Sequence, residues 1–296
     1  MINLEIYSPE EEIQHPVFIE KDIQVYLKRD DLIHPFISGN KWRKLKYHLL
    51  EAESLNKKHL ITFGGVWSNH LLATACAGAK FGFKTTGFVR GEDITSDVLF
   101  LCRQFGMNLQ FVDRESYKDK TSLFNSLAQD DNEAYFIDEG GHGPLGTKGC
   151  SELVQELNQS YDHIFCACGT GTTAAGIING LTNTNSSTIF NAIPVLKGDF
   201  LRTSIKDLLL KQVEFEYHDS YNFGGYAKTN PQLLSFISDF TAATGILIDP
   251  VYTGKLMFAI LDLAKSDYFL PQTKILAIHT GGLFGLLGMK DKFAKL

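Results

Sequence analysis

Two hydrophobic periods take turns along this chain. Ile23-Gln24-Val25-Tyr26-Leu27-Lys28 alternates every second residue, as a strand does. Leu45, Leu49 and Leu50 then recur at helical spacing, which predicts a helix to about Glu53. Short apolar runs return at His59 to Phe63, Lys84 to Val89, Asn108 to Val112, Tyr135 to Ile137, His163 to Ala167, Thr188 to Pro194 and Lys274 to Ile278. Helical patterns separate them: Leu71 to Phe81, Val98 to Phe105, Cys150 to Gln159, a segment after Gly176, Phe200 to Leu210, Leu233 to Thr244, and a last one ending near Ala264. Strand and helix in alternation predict an α/β protein, with parallel sheet covered by helices on both faces. Residues 1 to 37 read as a short β-rich entry. No repeat, low-complexity stretch or linker interrupts the pattern.

The turns carry the candidate chemistry. Ser38-Gly39-Asn40 runs straight into Lys41 at a predicted helix start, where the helix dipole disfavours a cation. If that first turn is buried, the Lys41 amine loses part of its preference for charge and becomes a nucleophile. It then suits a Schiff base with an aldehyde cofactor, pyridoxal phosphate (PLP) first among them. The competing reading makes Lys41, Arg43 and Lys44 a solvated basic face. Lys28-Arg29-Asp30-Asp31 reads as a surface charge cluster with a local salt bridge.

Gly64-Gly65 followed by Ser68-Asn69-His70 places a cap, or a carboxylate-binding turn, at a helix N-terminus. Asp138 to Gly146 is a glycine-dense loop in which His142 is either a base or a satisfied loop histidine. Cys168-Gly169-Thr170-Gly171-Thr172-Thr173 lies between a strand and a helix. Backbone N–H groups, hydroxyls and a helix dipole would aim there at one phosphate. The Gly-Lys-Ser/Thr of a Walker loop is absent, and the glycine spacing does not fit a dinucleotide. Tyr226 and Tyr252 lie beside glycines in loops and become acid/base candidates only within a site.

Composition narrows the classes. The chain has 296 residues, 44% hydrophobic and 21% charged, enough for one large or two medium domains. A formal charge of -6 argues against a nucleic-acid partner. No apolar run is long enough to span a membrane, and the first residues lack a signal-peptide pattern. The five cysteines read as reduced, buried thiols of a cytoplasmic protein, with Cys166 and Cys168 on one face of a strand. No metal site is expected.

Four motifs in order then carry a resemblance: Ser-Gly-Asn-Lys-x-Arg-Lys-Leu from Ser38, Gly-Gly-x-x-Ser-Asn-His from Gly64, Asp-Pro-Val-Tyr-x-Gly-Lys from Asp249, and His-Thr-Gly-Gly from His279. The chain resembles the 1-aminocyclopropane-1-carboxylate (ACC) deaminase / D-cysteine desulfhydrase family over nearly its whole length. The resemblance implies PLP fold type II, that of the tryptophan synthase β chain, with two three-layer α/β/α domains and the cofactor between them. Residues 1–43 and 142–296 would form the larger PLP-binding domain and 44–141 the smaller inserted one.

By the same resemblance Lys41 carries the cofactor as a Schiff base, and Asn40 lies near its phenolic oxygen. Gly169, Thr170, Gly171, Thr172 and Thr173 grip the phosphate. Ser68, Asn69 and His70 receive the substrate carboxylate, Ser68 also counting as catalytic. Tyr226 and Tyr252 face the substrate, and a homodimer is implied.

Thr253 stands where ACC deaminases carry Glu against the pyridine nitrogen, and His70 replaces their Gln. Thr253 resembles the D-cysteine desulfhydrase branch, and both departures count against ring opening. The expected activity is therefore α,β-elimination from a small amino acid to pyruvate, ammonia and sulfide. The alternatives are ACC ring opening to 2-oxobutanoate, a β-replacement synthase, and a PLP-binding protein without turnover.

Overall fold

A computed structural model describes residues 2–294. Its ten strands are β1 (Glu10–Glu12), β2 (Gln24–Lys28), β3 (His59–Gly64), β4 (Lys84–Arg90), β5 (Asn108–Val112), β6 (Ala134–Phe136), β7 (His163–Cys168), β8 (Ile189–Pro194), β9 (Glu216–Tyr217) and β10 (Lys274–Ile278). The α-helices are α1 (Pro16–Glu20), α2 (Asn40–Ser54), α3 (Asn69–Phe81), α4 (Asp97–Gln104), α5 (Lys120–Ala128), α6 (Pro144–Ser151), α7 (Thr172–Asn183), α8 (Phe200–Lys206), α9 (Pro231–Thr244), α10 (Thr253–Lys265) and α11 (Lys290–Phe293).

The strands form two sheets. One has the order β1-β2-β10-β7-β8-β9, the other β5-β4-β3-β6. Every pairing is parallel except β1 with β2. β10, near the C-terminus, lies between β2 and β7, so that Leu276 pairs with Tyr26 on one side and Ile164 on the other. The larger sheet thus joins both ends of the chain.

Period-two alternation divides the larger sheet's side chains between two cores. Val25, Leu27, Phe165, Ala167, Ile275 and Ala277 face one, where α9 and α10 pack. Ile164, Cys166, Cys168, Leu276 and Ile278 face the other, against α7. Cys166 and Cys168 do share a face, and all five cysteines are buried and free.

Three expectations need correction. No single helix covers Cys150 to Gln159. α6 starts at Pro144 and ends at Ser151, followed by a 3-10 turn over Glu152–Glu156. Pro144 opens the helix, and its glycines serve close packing. A Cβ on Gly149 would lie 1.8 Å from the Arg43 carbonyl oxygen, and one on Gly146 2.2 Å from that of Gly141.

Second, α8 stops at Lys206, short of the expected Leu210. Third, Lys28-Arg29-Asp30-Asp31 is not a surface cluster. Lys28 and Asp30 are buried, and Asp30 takes Arg43, itself buried, at 2.6 and 2.7 Å. The local pair exists as well, Arg29 to Asp31 at 2.8 Å.

Candidate active site

The site begins where the two chain ends meet. Gly39 has φ +60°, and a Cβ there would lie 1.9 Å from the Thr280 carbonyl oxygen. The Asn40 N–H donates to that same oxygen at 3.3 Å, and the Gly39 N–H donates to Asp30 O at 3.0 Å. His279 Nε2 lies 2.7 Å from Leu247 O, and its Nδ1 lies 3.2 Å from the Gly281 backbone nitrogen. Arg43, one turn into α2, is locked by Asp30 and by Glu156 at 2.8 Å. Together these contacts fix the first turn of α2 and so the aim of Lys41.

Lys41 Nζ donates to Asn40 Oδ1 at 2.8 Å, and Asn40 Nδ2 donates to Thr173 Oγ1 at 2.9 Å. One amide therefore links the lysine to the glycine-threonine turn. Lys41 lines a cavity of about 180 Å³, with Ser38, Asn69, Gly282, Phe36 and Phe284 on its walls. Loss of hydration, then the charge of Lys44, lower its pKa to about 7. Lys44, three residues on and on the same helix face, is buried, and burial lowers its pKa too. Among the described residues neither ammonium has a carboxylate within salt-bridge distance.

The turn from β7 into α7 leaves donors free at a helix N-terminus. Gly171 adopts φ +82° beside Ile205, where a Cβ would approach to 3.0 Å. The first-turn N–H groups of α7 have no intrahelical acceptor. The hydroxyls of Thr170 and Thr172 lie 3.2 Å apart, and His142 Nδ1 is 3.0 Å from Thr172 Oγ1. His142 is thus a loop histidine bonded to the turn.

On the other side, Ser68 Oγ caps α3 by accepting the Leu71 N–H at 3.2 Å, which leaves its own hydrogen free. Asn69 is pressed against Gly282, where a Cβ would lie 2.8 Å from Asn69 Nδ2. His70 turns inward, with Nε2 2.8 Å from Thr62 Oγ1.

Tyr252 flanks Gly169, its Cε1 lying 3.2 Å from where a Cβ would be, and meets the half-exposed Tyr226 edge-on with ring centres 6.3 Å apart. Burial, then the neighbouring Tyr226, hold the Tyr252 hydroxyl well above its ordinary pKa, so it stays protonated. Asp249 accepts three N–H groups at the start of α10, those of Val251, Tyr252 and Thr253. The Thr253 hydroxyl donates its one hydrogen to Asp249 Oδ1 at 2.8 Å and accepts the Asp249 N–H at 2.9 Å. It is left with a single lone pair. Lys255, buried, donates to the carbonyls of Asn222 and Gly225 at 2.7 and 2.9 Å and so holds the loop bearing Tyr226.

Residues 14–281 match the family model described as "Pyridoxal-phosphate dependent enzyme". The chain belongs to this PLP-dependent enzyme family. A Pyrococcus horikoshii protein provisionally named 1-aminocyclopropane-1-carboxylate deaminase is 33% identical over 99% of this chain and 95% of its own. The Arabidopsis thaliana bifunctional D-cysteine desulfhydrase/1-aminocyclopropane-1-carboxylate deaminase is 29% identical, over 92% of this chain and 76% of its own. The crystal structure of an ACC deaminase homologue superposes with TM-score 0.90 at 31% identity, covering 99% of this chain and 94% of that one. The fold is PLP fold type II.

The donor set of this PLP-dependent enzyme fits its cofactor. A phosphate monoester needs N–H and O–H donors, and the α7 turn with its threonine hydroxyls offers both. An aldehyde needs an amine that is neutral near pH 7, which Lys41 supplies. The sequence reading gave no role to Lys44, Asp249 or Lys255, although the last two delimit one of its four motifs. Lys44 was detectable from its spacing three residues after Lys41 on one helix face. Asp249 was detectable from a threonine four residues on, at a helix start. The role of Lys255 was hidden, because its partners are loop carbonyls.

Proposed function

We propose that this enzyme is a deaminating lyase that takes D-cysteine, or a similar small β-substituted amino acid, to pyruvate, ammonia and sulfide. D-cysteine plus one water balances those three products. The observation that carries the choice is Thr253. No carboxylate follows Tyr252, and the nearby Asp249 carboxylate is already filled by three N–H groups and the Thr253 hydroxyl. A base that keeps the ring nitrogen charged is thus absent from the position where the ACC-opening enzymes of the resembling family carry Glu, and ring opening without an α-hydrogen is the more demanding reaction. The larger PLP-binding domain is proposed to comprise residues 1–43 and 142–296, and the smaller one 44–141.

PLP, when bound, supplies an aldehyde that links to amines and a ring that draws electrons from the substrate α-carbon. The chain supplies the rest. Asn40 orients Lys41 Nζ, and Gly169 to Thr173 would hold the phosphate. Ser68 Oγ–H and the first N–H groups of α3 bind the substrate carboxylate. Lys41 Nζ, with its pKa near 7, accepts the α-proton. The Tyr252 hydroxyl, kept protonated and paired with Tyr226, donates a proton to the departing sulfur. Phe36 and Phe284 stack with ring centres 5.7 Å apart in the wall of the cavity.

Release of pyruvate from D-cysteine, compared with 2-oxobutanoate from ACC, tests this reading. Pyruvate as the dominant product supports it. Dominant 2-oxobutanoate transfers the chain to the ring-opening branch, and product formed only with an added nucleophile makes it a synthase.

A further inference from the structure

The loop that carries Tyr226 follows a costly backbone path. Phe223, Gly224, Gly225 and Ala227 have φ of +53°, +90°, +118° and +55°. Glycine takes such values freely, whereas Phe223 and Ala227 do not. A path of this kind persists only where surrounding contacts over-determine it. Within the loop, Asn222 O accepts the Gly225 N–H at 3.0 Å and Gly225 O accepts the Lys228 N–H at 3.2 Å. Two successive turns therefore flank Tyr226. Asn222 Oδ1 braces the first by accepting the Gly224 N–H at 2.8 Å, and Phe223 packs edge-on against Phe258 with ring centres 5.1 Å apart.

One side chain joins both turns. Lys255 Nζ donates to Asn222 O at 2.7 Å and to Gly225 O at 2.9 Å, filling the second lone pair of each carbonyl. Lys255 is 0% exposed, and among the described residues no carboxylate lies within salt-bridge distance of it. Burying an ammonium without a counter-ion is expensive, and packing alone would be met by an apolar residue. The charges nearest it are Asp249, at the start of α10, which favours the ammonium, and Lys292 of α11, which opposes it. Burial outweighs both and brings its pKa down to about 8. Lys292 itself reaches the far end of the loop, at Ala227 O and Thr229 Oγ1.

The placement on α10 gives this bond its consequence. Tyr252 is the N-cap of α10, and Lys255 follows it by three residues. A single helix start thus carries one tyrosine of the site and the ammonium that holds the loop of the other.

We propose that Lys255 is a positioning residue for the elimination: by tying Asn222 O to Gly225 O it sets Tyr226 against Tyr252, and so orients the hydroxyl that serves the departing group. Lys255 touches neither substrate nor cofactor in this role. The proposal rests on the reading of Tyr252, paired with Tyr226, as the proton donor.

The test compares the holoenzyme with its Lys255→Met variant, which keeps the length of the side chain and loses the donors. Amide hydrogen exchange should rise in the peptide covering residues 222–228 and stay at the parent's level in β7 and α7. With D-cysteine, kcat should fall about tenfold or more with KM little changed. β-Chloro-D-alanine, whose chloride leaves without a proton, should lose far less, a difference that a general loss of folded enzyme would not produce. In a Tyr226→Phe background the same substitution should change kcat by less than about twofold, because the two residues act through one contact.

Unchanged exchange in the loop, equal losses on both substrates, or losses that add in the double variant would overturn the proposal. If Tyr226→Phe alone leaves kcat unaltered while Lys255→Met still loosens the loop, the proton-donor reading falls and the tie between the two turns stands. If Lys255→Met does not fold, the parent enzyme decides. Its charge-assisted bonds weaken as the amine loses its proton, so exchange in 222–228, corrected for the intrinsic rise with pH, should increase between about pH 7 and about pH 9. No increase there would overturn the proposal.

Discussion

Gly39 and Thr280, from opposite ends of the chain, are in backbone contact: a Cβ on Gly39 would lie 1.9 Å from the Thr280 carbonyl oxygen. That carbonyl also accepts the Asn40 N–H, so it fixes the residue before the lysine. Gly39→Ala should therefore cost about 3 kcal/mol or more, combining a backbone clash with φ +60°. Gly82→Ala is the control. Gly82 has φ +79° but open space around it, and its replacement should cost only about 1 kcal/mol. Urea unfolding of both variants measures the difference, and equal losses would show that the contact with Thr280 contributes nothing.

The buried Arg43–Asp30 pair predicts a second stability effect. Arg43→Ala leaves the Asp30 carboxylate in the interior without its partner, since Asp30 is 0% exposed. Loss of one partner of such a pair costs about 3–5 kcal/mol. Denaturant midpoints should fall accordingly, and a change under about 1 kcal/mol would mean that the pair behaves as an exposed one.

Lys41 predicts a pH dependence. Its folded pKa of about 7 lies below the ordinary 10.5. Between these values the unfolded chain binds a proton that the folded apoenzyme does not, so this lysine's contribution makes the fold more stable as pH rises through that window. Below the folded pKa both states are protonated and the contribution is flat. The same shift makes Lys41 reactive at a lower pH than an ordinary lysine. Labelling of the apoenzyme by an amine-selective reagent, followed by peptide mass spectrometry, should give a pH midpoint near 7 at Lys41. A midpoint near 10 would contradict the burial argument.

Much of this was legible in the sequence. Strand periods located β2 to β5, β7, β8 and β10 within a residue or two: β2 alternates, while β3, β7, β8 and β10 are buried on both faces and read as apolar runs. Glycines mark the turns for a physical reason, since φ must be positive at Gly39 and Gly171. Elements formed by tertiary contact gave no such signal. β1 is Glu-Glu-Glu, held by its ladder to β2, and α6 is rich in glycine because it packs against α2 at backbone distance. Arg43 and Lys44 read as a possible solvated face because sequence alone does not show that Asp30 and Glu156 converge on one while the other is left unpaired. The inward turn of His70 was invisible for the same reason, since it depends on Thr62, which itself bonds the Ile137 carbonyl.

Tyr252→Phe removes the proton donor while keeping the ring beside Gly169. If the hydroxyl protonates the leaving group, kcat for D-cysteine should fall about a hundredfold or more with KM little changed. A substrate whose β-substituent leaves without protonation should be nearly insensitive. Equal losses on both substrates would assign the hydroxyl to another step.

The central claim is that the cofactor is attached at Lys41 and at no other lysine. Borohydride reduction of the holoenzyme, digestion and mass spectrometry test it directly. The expected result is a phosphopyridoxyl adduct on the peptide containing Lys41, lost in Lys41→Ala. An adduct on Lys44 or Lys255, or one that persists in Lys41→Ala, would contradict the account.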